Sequence, residues 1–302
     1  MEIDRTCITG ALGYLGFNYL SHMARMGRRS RIYALDVREP DEEQKELIER
    51  LRCENESRPE VVFLKADLTG YEEDWAACID DSESLIHFAA VNPFPSQTPI
   101  QASKSMDITL NVMTAALRSA SMKRFIFASS NHVMGGYKDS PLADSIGVGG
   151  LTTSLDPAPG TLIWEAGPNQ NSTTYAWTKL MGERLCQSCA ATGSERLSFV
   201  SVRIGACKPG QGFPEMIAGR MNKFSADREA MRDLTWMRSF WLSQRDFQGL
   251  FDRAQEADCD GWPSRAVIVN GMSANSGMKW SLEEVRGFLG YTPVDDVSER
   301  IG

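Results

Sequence analysis

Thr9-Gly10-Ala11-Leu12-Gly13-Tyr14-Leu15-Gly16 is the stretch whose reading decides the fold. It follows the short apolar run Thr6–Thr9 and opens a helical pattern over Tyr14–Met26. Its glycines therefore fall at a strand–loop–helix junction, the context in which such a pattern cradles a dinucleotide. Gly10 allows the tight turn, Gly13 lets backbone approach a pyrophosphate, and Gly16 lets the helix pack closely on the strand. Around Leu12, Tyr14 and Leu15 the helix start turns unpaired N–H groups and a positive dipole end toward phosphate.

Outward from this loop, apolar β-branched runs alternate with helical patterns. Strands are expected at Thr6–Thr9, Arg31–Leu35, Val61–Lys65, Ser84–His87, Arg124–Ala128, Ser198–Arg203 and Ala266–Val269. Helices are expected at Tyr14–Met26, Asp41–Leu51, Ser103–Ser119, Thr174–Ala191, Gln244–Gln255 and Ser281–Phe288. The alternation predicts an α/β chain with a Rossmann-type, doubly wound parallel sheet. Residues 1–205 form the NAD-binding domain in this reading. Residues 206–302 form a smaller C-terminal substrate-binding region whose strand 266–269 returns to the main sheet. Two stretches break the rhythm. Ser140–Asn171, rich in Gly, Pro, Ser and Thr, suits a functional loop beside a site. Lys208–Trp241 begins with Pro209, Gly210, Gly212 and Pro214 and continues as a helical stretch rich in Met, Arg and Trp. It is either a lid or part of a substrate subdomain, or a surface insertion.

At 302 residues the chain can bury a full core. Its net charge of −8 argues against a nucleic-acid partner, which needs a basic face. The same charge means that an anionic substrate would need local cations at its site. No apolar run has the length of a bilayer span, and Met1–Arg5 lacks the layout of a signal peptide. Seven scattered cysteines do not read as a secreted disulfide framework. A cytoplasmic enzyme is expected. Cys186 and Cys189 form a CxxC inside a helix, with no second pair and no histidine at ligand spacing, so no metal site is expected.

Asp36 closes the second strand, where a carboxylate accepts both ribose hydroxyls and repels a 2′-phosphate, so NAD is preferred over NADP. Arg38 is the complication, since a nearby cation could accommodate that phosphate. Asp67-Leu68, ending the third strand, either meets the adenine ring or forms a turn. After His87, which reads as structural, Phe88-Ala89-Ala90 lets backbone pass close to the cofactor.

Tyr175-Ala176-Trp177-Thr178-Lys179 places a phenol and an ammonium one helical turn apart on one face. A free tyrosine titrates near 10, too high for a base at neutral pH. A neighbouring ammonium and a positive nicotinamide ring both favour phenolate. Ser130, in Phe127-Ala128-Ser129-Ser130-Asn131-His132, ends the fifth strand and can hydrogen-bond the reacting oxygen.

With these motifs the chain resembles an extended short-chain dehydrogenase/reductase over residues 3–290. It is most similar to the uronate dehydrogenases and related sugar dehydrogenases. The likeness rests on FASSNHVMG (Phe127–Gly135), VRIGACKP (Val202–Pro209), FWLSQRDF (Phe240–Phe247) and VNGMSANSGMKWSLEEVRGFLGYTP (Val269–Pro293). It implies a catalytic triad of Ser130, Tyr175 and Lys179, with Asn111 on the helix position that supports the lysine. It further implies that Asn92, Asn131 and His132 contact sugar hydroxyls. An arginine shortly after the RIG segment would grip the substrate's acidic group, a task suited to a guanidinium. The chain departs from the pattern here: Arg220, Arg232 and Arg238 compete, with Arg238 preferred and Arg232 second.

The expected activity is NAD-dependent oxidation of an aldose, an acidic sugar such as a uronate, at C1 to a lactone. Sugar phosphates and sulfonated sugars are alternative substrates. A nucleotide-sugar epimerase or dehydratase with tightly held NAD is the competing reading, although His132 follows the SSN run without a Thr-Asp-Glu-type acid/base set. A non-catalytic NAD sensor has no reason to keep a tuned phenolate. The resemblance implies a homodimer or higher homo-oligomer, paired through the helices carrying Asn111 and Tyr175.

Overall fold

Side chains alternate between two cores along β5 (Arg124–Ser130), which sets the layers. Phe125 and Phe127 join one buried cluster, while Ile126 and Ala128 join another, as a strand covered on both faces requires. The computed structural model describes residues 1–54, 56, 58–91, 97–163, 171–192, 196–208 and 213–301. The other strands are β1 (Arg5–Thr9), β2 (Arg31–Asp36), β3 (Glu60–Lys65), β4 (Ser84–His87), β6 (Ser198–Ile204) and β7 (Ala266–Gly271). They form one seven-stranded sheet in the order β3-β2-β1-β4-β5-β6-β7, and every pairing is parallel. The winding reverses between β1 and β4, and ligands of such sheets bind outside the strands' carboxyl ends at that point.

One face of the sheet is covered by α1 (Tyr14–Met26), α2 (Glu42–Cys53), α8 (Gln244–Glu256) and α9 (Glu283–Leu289), through residues such as Leu20, Leu51, Phe251 and Val285. The other face is covered by α3 (Glu73–Asp80), α4 (Pro99–Arg118) and α5 (Thr173–Ala191), through Trp75, Val112 and Cys186. The starts of α2 and α4 are written in the sequence. Asp41 with Gln44, and Thr98 with Gln101, close reciprocal capping boxes. The short helix α3 has no such signal, because Glu72 makes no side-chain cap bond. Burial of Trp75 and Ile79 holds it instead, a tertiary contribution that periodicity over eight residues cannot reveal.

The Lys208–Trp241 stretch contains α6 (Phe213–Lys223) and α7 (Arg228–Ser239). With α10 (Val297–Ile301) they bury Phe213, Ile217, Leu234, Trp241 and Val297 together. The opposite side of α7 puts Trp236 against Trp280, with ring centroids 5.2 Å apart, in a cluster that also holds Val133 and Met134 from just after β5. The stretch is therefore packed into the body of the chain beyond the strands' carboxyl ends and is not a surface appendage. Among the described residues no helix is long and apolar enough to cross a membrane.

Candidate active site

The glycine loop is pressed against the end of β4. Gly10 has φ of +68°, and a Cβ there would lie 2.7 Å from the Ala89 nitrogen. A Cβ on Gly16 would lie 2.1 Å from the Gly10 carbonyl oxygen. These two absences let α1 begin directly beneath the loop. Gly13, the N-cap, offers no side-chain acceptor, and the first turn of α1 holds no acidic residue. The N–H groups of Tyr14 and Leu15 are thus left to an anion. An uncapped helix start beside a glycine loop fits the pyrophosphate of a dinucleotide.

Asp36 is buried at the end of β2. One carboxylate oxygen accepts the Leu12 N–H at 2.9 Å, and the other accepts the Arg38 N–H at 3.1 Å and Nε at 3.2 Å. Arg38 is thereby turned onto the Asp36 carboxylate. Asp67 accepts both the N–H and the hydroxyl of Thr69, an Asx turn whose bonds hold its carboxyl below the usual range. Ala89 and Ala90 are half-buried beside the loop. His87 lies between the hydroxyls of Thr9, at 2.7 Å, and Thr109, at 3.2 Å. Burial lowers it to about 3, so it stays neutral and structural. Asn111, on α4, donates its amide to the Leu68 carbonyl at 3.0 Å.

The three residues expected to form the triad, Ser130, Tyr175 and Lys179, converge where β5 ends. Lys179 donates to the Ala128 carbonyl at 2.8 Å and stands 5.8 Å above the centre of the Tyr175 ring. Burial depresses its ammonium to about 8. Burial also raises the Tyr175 phenol above its ordinary value, and the Ser130 hydroxyl beside it draws it back down. Ser130 is itself held by the His132 N–H at 3.2 Å. The His132 ring packs edge-on to Tyr175, with centroids 5.7 Å apart. Its Nδ1 lies 2.8 Å from the hydroxyls of both Thr161 and Ser172. Burial lowers His132 to about 4, so it is neutral throughout the working range. The long loop thus touches the site, with Thr161 at the His132 ring and Gly160 N–H bonding the His132 carbonyl at 2.9 Å.

On the substrate side, Asn131 is buried and donates to the Ile204 carbonyl at 3.0 Å. Its Oδ1 is an acceptor without a hydrogen-bond partner among the described residues. The two preferred arginines both spend donors around the α7 cap. Arg238 donates to Ser298 at 2.7 Å, and Arg232 pairs with Asp139 at 2.8 Å. Asn92 lies outside the described residues.

A family model described as the NAD dependent epimerase/dehydratase family matches residues 6–208. The chain belongs to this family. It is an NAD-dependent oxidoreductase of the extended short-chain type, acting on CH–OH groups. An NAD-dependent glucose-6-phosphate dehydrogenase of Haloferax volcanii is 27% identical over 298 residues, 97% of this chain and 94% of that protein. Among solved structures, a glucuronic acid dehydrogenase from Chromohalobacter salexigens superposes with a TM-score of 0.64 at 22% identity, covering 99% of this chain and 88% of that one. A UDP-glucuronic acid 4-epimerase from Bacillus cereus, in complex with UDP-glucuronic acid and NAD, gives a TM-score of 0.65 at 17% identity and covers 98% and 96%. At these identities the two structures establish a shared fold.

Within this epimerase/dehydratase chain, two parts of the site escaped the sequence reading. Gly182 lies directly over Phe127, where a Cβ would come within 2.1 Å of the ring. Its absence lets α5 settle onto the sheet and brings the Lys179 ammonium 5.2 Å above the same ring. Glu183 is fully buried and chelated by Arg203 of β6, with Nε and Nη2 each 2.9 Å from its oxygens. Ser129 donates to it as well, at 2.6 Å. The available signal was spacing: Tyr175, Lys179 and Glu183 stand at i, i+4 and i+8, on one face of one helix.

Proposed function

We propose that the chain is an NAD-dependent sugar dehydrogenase that oxidises an aldose, and specifically an acidic sugar such as a uronate, at C1 to a lactone. The observation that carries this reading is the buried Ser130–Tyr175–Lys179 set with neutral His132 and the unpaired Asn131 acceptor beside it. Tyr175 as phenolate takes the proton of the anomeric hydroxyl. Ser130 steadies the oxygen, and Lys179 stabilises the phenolate and holds the nicotinamide ribose. When bound, NAD supplies the hydride acceptor. Asn131 and His132 meet the sugar hydroxyls, and the α6–α7–α10 cap closes over the sugar. Full-length similarity to a sugar dehydrogenase favours net oxidation over epimerisation. That relative's name also supports a sugar phosphate as the second substrate reading.

The test is NADH formation by the purified protein with glucuronate, galacturonate, neutral aldoses, glucose 6-phosphate and a sulfonated hexose. NAD⁺ and NADP⁺ are compared side by side. The expected result is turnover of one acidic sugar with NAD⁺ preferred, because a carboxylate such as Asp36 at the end of the second strand repels a 2′-phosphate. Silence across the panel, with NAD co-purifying, would transfer the assignment to a nucleotide-sugar epimerase.

The protein is proposed to be a cytoplasmic homodimer. α4 leaves Leu110 and Leu117 exposed seven residues apart, and Trp177 on the adjacent α5 is 53% exposed, more apolar surface than a solvated helix pair needs. Light scattering is expected to give twice the chain mass, and Trp177→Glu to give the monomer. A monomeric parent protein would refute the pairing.

A further inference from the structure

The buried ion pair beneath the active helix has a use beyond holding α5 in place. Lys179 must keep a charged, uncommitted ammonium, since in the reading above it serves both the phenolate and the ribose. Glu183 is its i+4 neighbour on the same helix face, within pairing reach although lysine-before-glutamate is the weaker order of such a pair. In the interior such a pair would be strong and would consume the ammonium. The structure keeps them apart. Both Glu183 oxygens are taken by the Arg203 fork, and one also accepts from Ser129, while Lys179 is drawn to the Ala128 carbonyl. The geometry is anchored by strand register, because Ser129 of β5 and Arg203 of β6 are direct partners across the sheet.

We infer that Arg203 is a positioning residue for the reaction: by chelating Glu183 it withholds a carboxylate from Lys179, and so keeps that ammonium for Tyr175 and the cofactor. The proposal rests on the dehydrogenase reading of Lys179. On its own helix Lys179 has Tyr175 one turn before it and Glu183 one turn after; β4 presents neutral His87, and Ser130 and His132 meet Tyr175 beyond it. Of these Glu183 is the carboxylate, so it is the group that would compete for the ammonium.

The test uses the full chain and two readouts over pH 6–10: NADH affinity by fluorescence, and kcat with whichever sugar of the panel turns over. In the parent protein NADH affinity is expected to fall as Lys179 loses its proton near 8. Arg203→Met releases Glu183 to pair with Lys179, which raises the lysine and leaves Tyr175 harder to ionise. Both the NADH transition and the rising limb of kcat should move alkaline by about one unit or more, as an opposite charge at contact distance does. Glu183→Gln combined with Arg203→Met removes carboxylate and guanidinium together and should return both midpoints to the parent values, whatever the loss of stability. Should Arg203→Met fail to fold, Arg203→Lys, which holds one oxygen in place of two, should give a smaller shift in the same direction.

Parent midpoints in folded Arg203→Met or Arg203→Lys, with only a lower Tm, would overturn the proposal and leave the pair purely structural. Lys179→Met separates this from the underlying reading. If it too leaves the profiles unmoved, the role assigned to Lys179 is itself wrong.

Discussion

Replacing Tyr175 by Phe is expected to reduce kcat by about a thousandfold, the middle of the range for loss of a positioned general base. NADH affinity should change little, because the cofactor cradle at Gly10–Gly16 and Asp36 is untouched. The fold should survive, since phenylalanine keeps the ring that packs edge-on to His132 and loses only the hydroxyl. Steady-state rates with the sugar identified in the panel, together with NADH titration, check this. A loss smaller than about tenfold would remove Tyr175 from the chemistry. The pH dependence of the parent enzyme follows from the same group. Burial holds the phenol up, so the rate of oxidation should rise with pH on the alkaline side of neutrality. The limb cannot belong to a histidine of the site, because His132 titrates near 4 and His87 near 3. In Tyr175→Phe the limb should vanish.

The second large effect is expected from Gly16→Ala, one methyl group added far from any reacting atom. The new Cβ would lie 2.1 Å from the Gly10 carbonyl oxygen and 2.9 Å from the Ala11 Cα, both backbone atoms. No rotamer relieves such a clash, so the loop or the start of α1 must move by about an ångström at an overpacking cost of about 1–3 kcal/mol. The displaced groups are the N–H donors at the uncapped start of α1, the ones proposed to hold the pyrophosphate. NADH affinity should fall by about tenfold to a hundredfold, and Tm should fall with it. Gly219→Ala is the control, since a Cβ there meets nothing within 4 Å. Equal NADH affinity in Gly16→Ala and the parent would mean that this loop does not cradle the cofactor.

Much of the fold is legible in the sequence. All seven strands lie within two residues of their expected ends, because each buried strand carries a dense β-branched or aromatic run between turn residues. The glycine loop was legible because its spacing answers a backbone requirement, and Tyr175 with Lys179 because one helical turn brings them together. The substrate side was not. Arg238 and Arg232 are placed by Ser298 and Asp139, partners 60 and 93 residues away. The Asn111 amide is placed by the carbonyl of Leu68, 43 residues earlier. A guanidinium or an amide takes the nearest acceptor in space, and sequence spacing carries no information about that acceptor.

The sequence by itself determined the parallel sheet, the glycine loop at its strand–helix junction and the Tyr175–Lys179 pair on one helix face. These depend on local periods, turn requirements and contacts within one helical turn. Only the tertiary structure decided how that pair is maintained. Gly182 seats α5 on Phe127, and Arg203 holds Glu183 away from Lys179. Both effects arise where a helix meets strands remote in the chain, and packing and charge neutralisation at such a contact are settled only when the two surfaces meet.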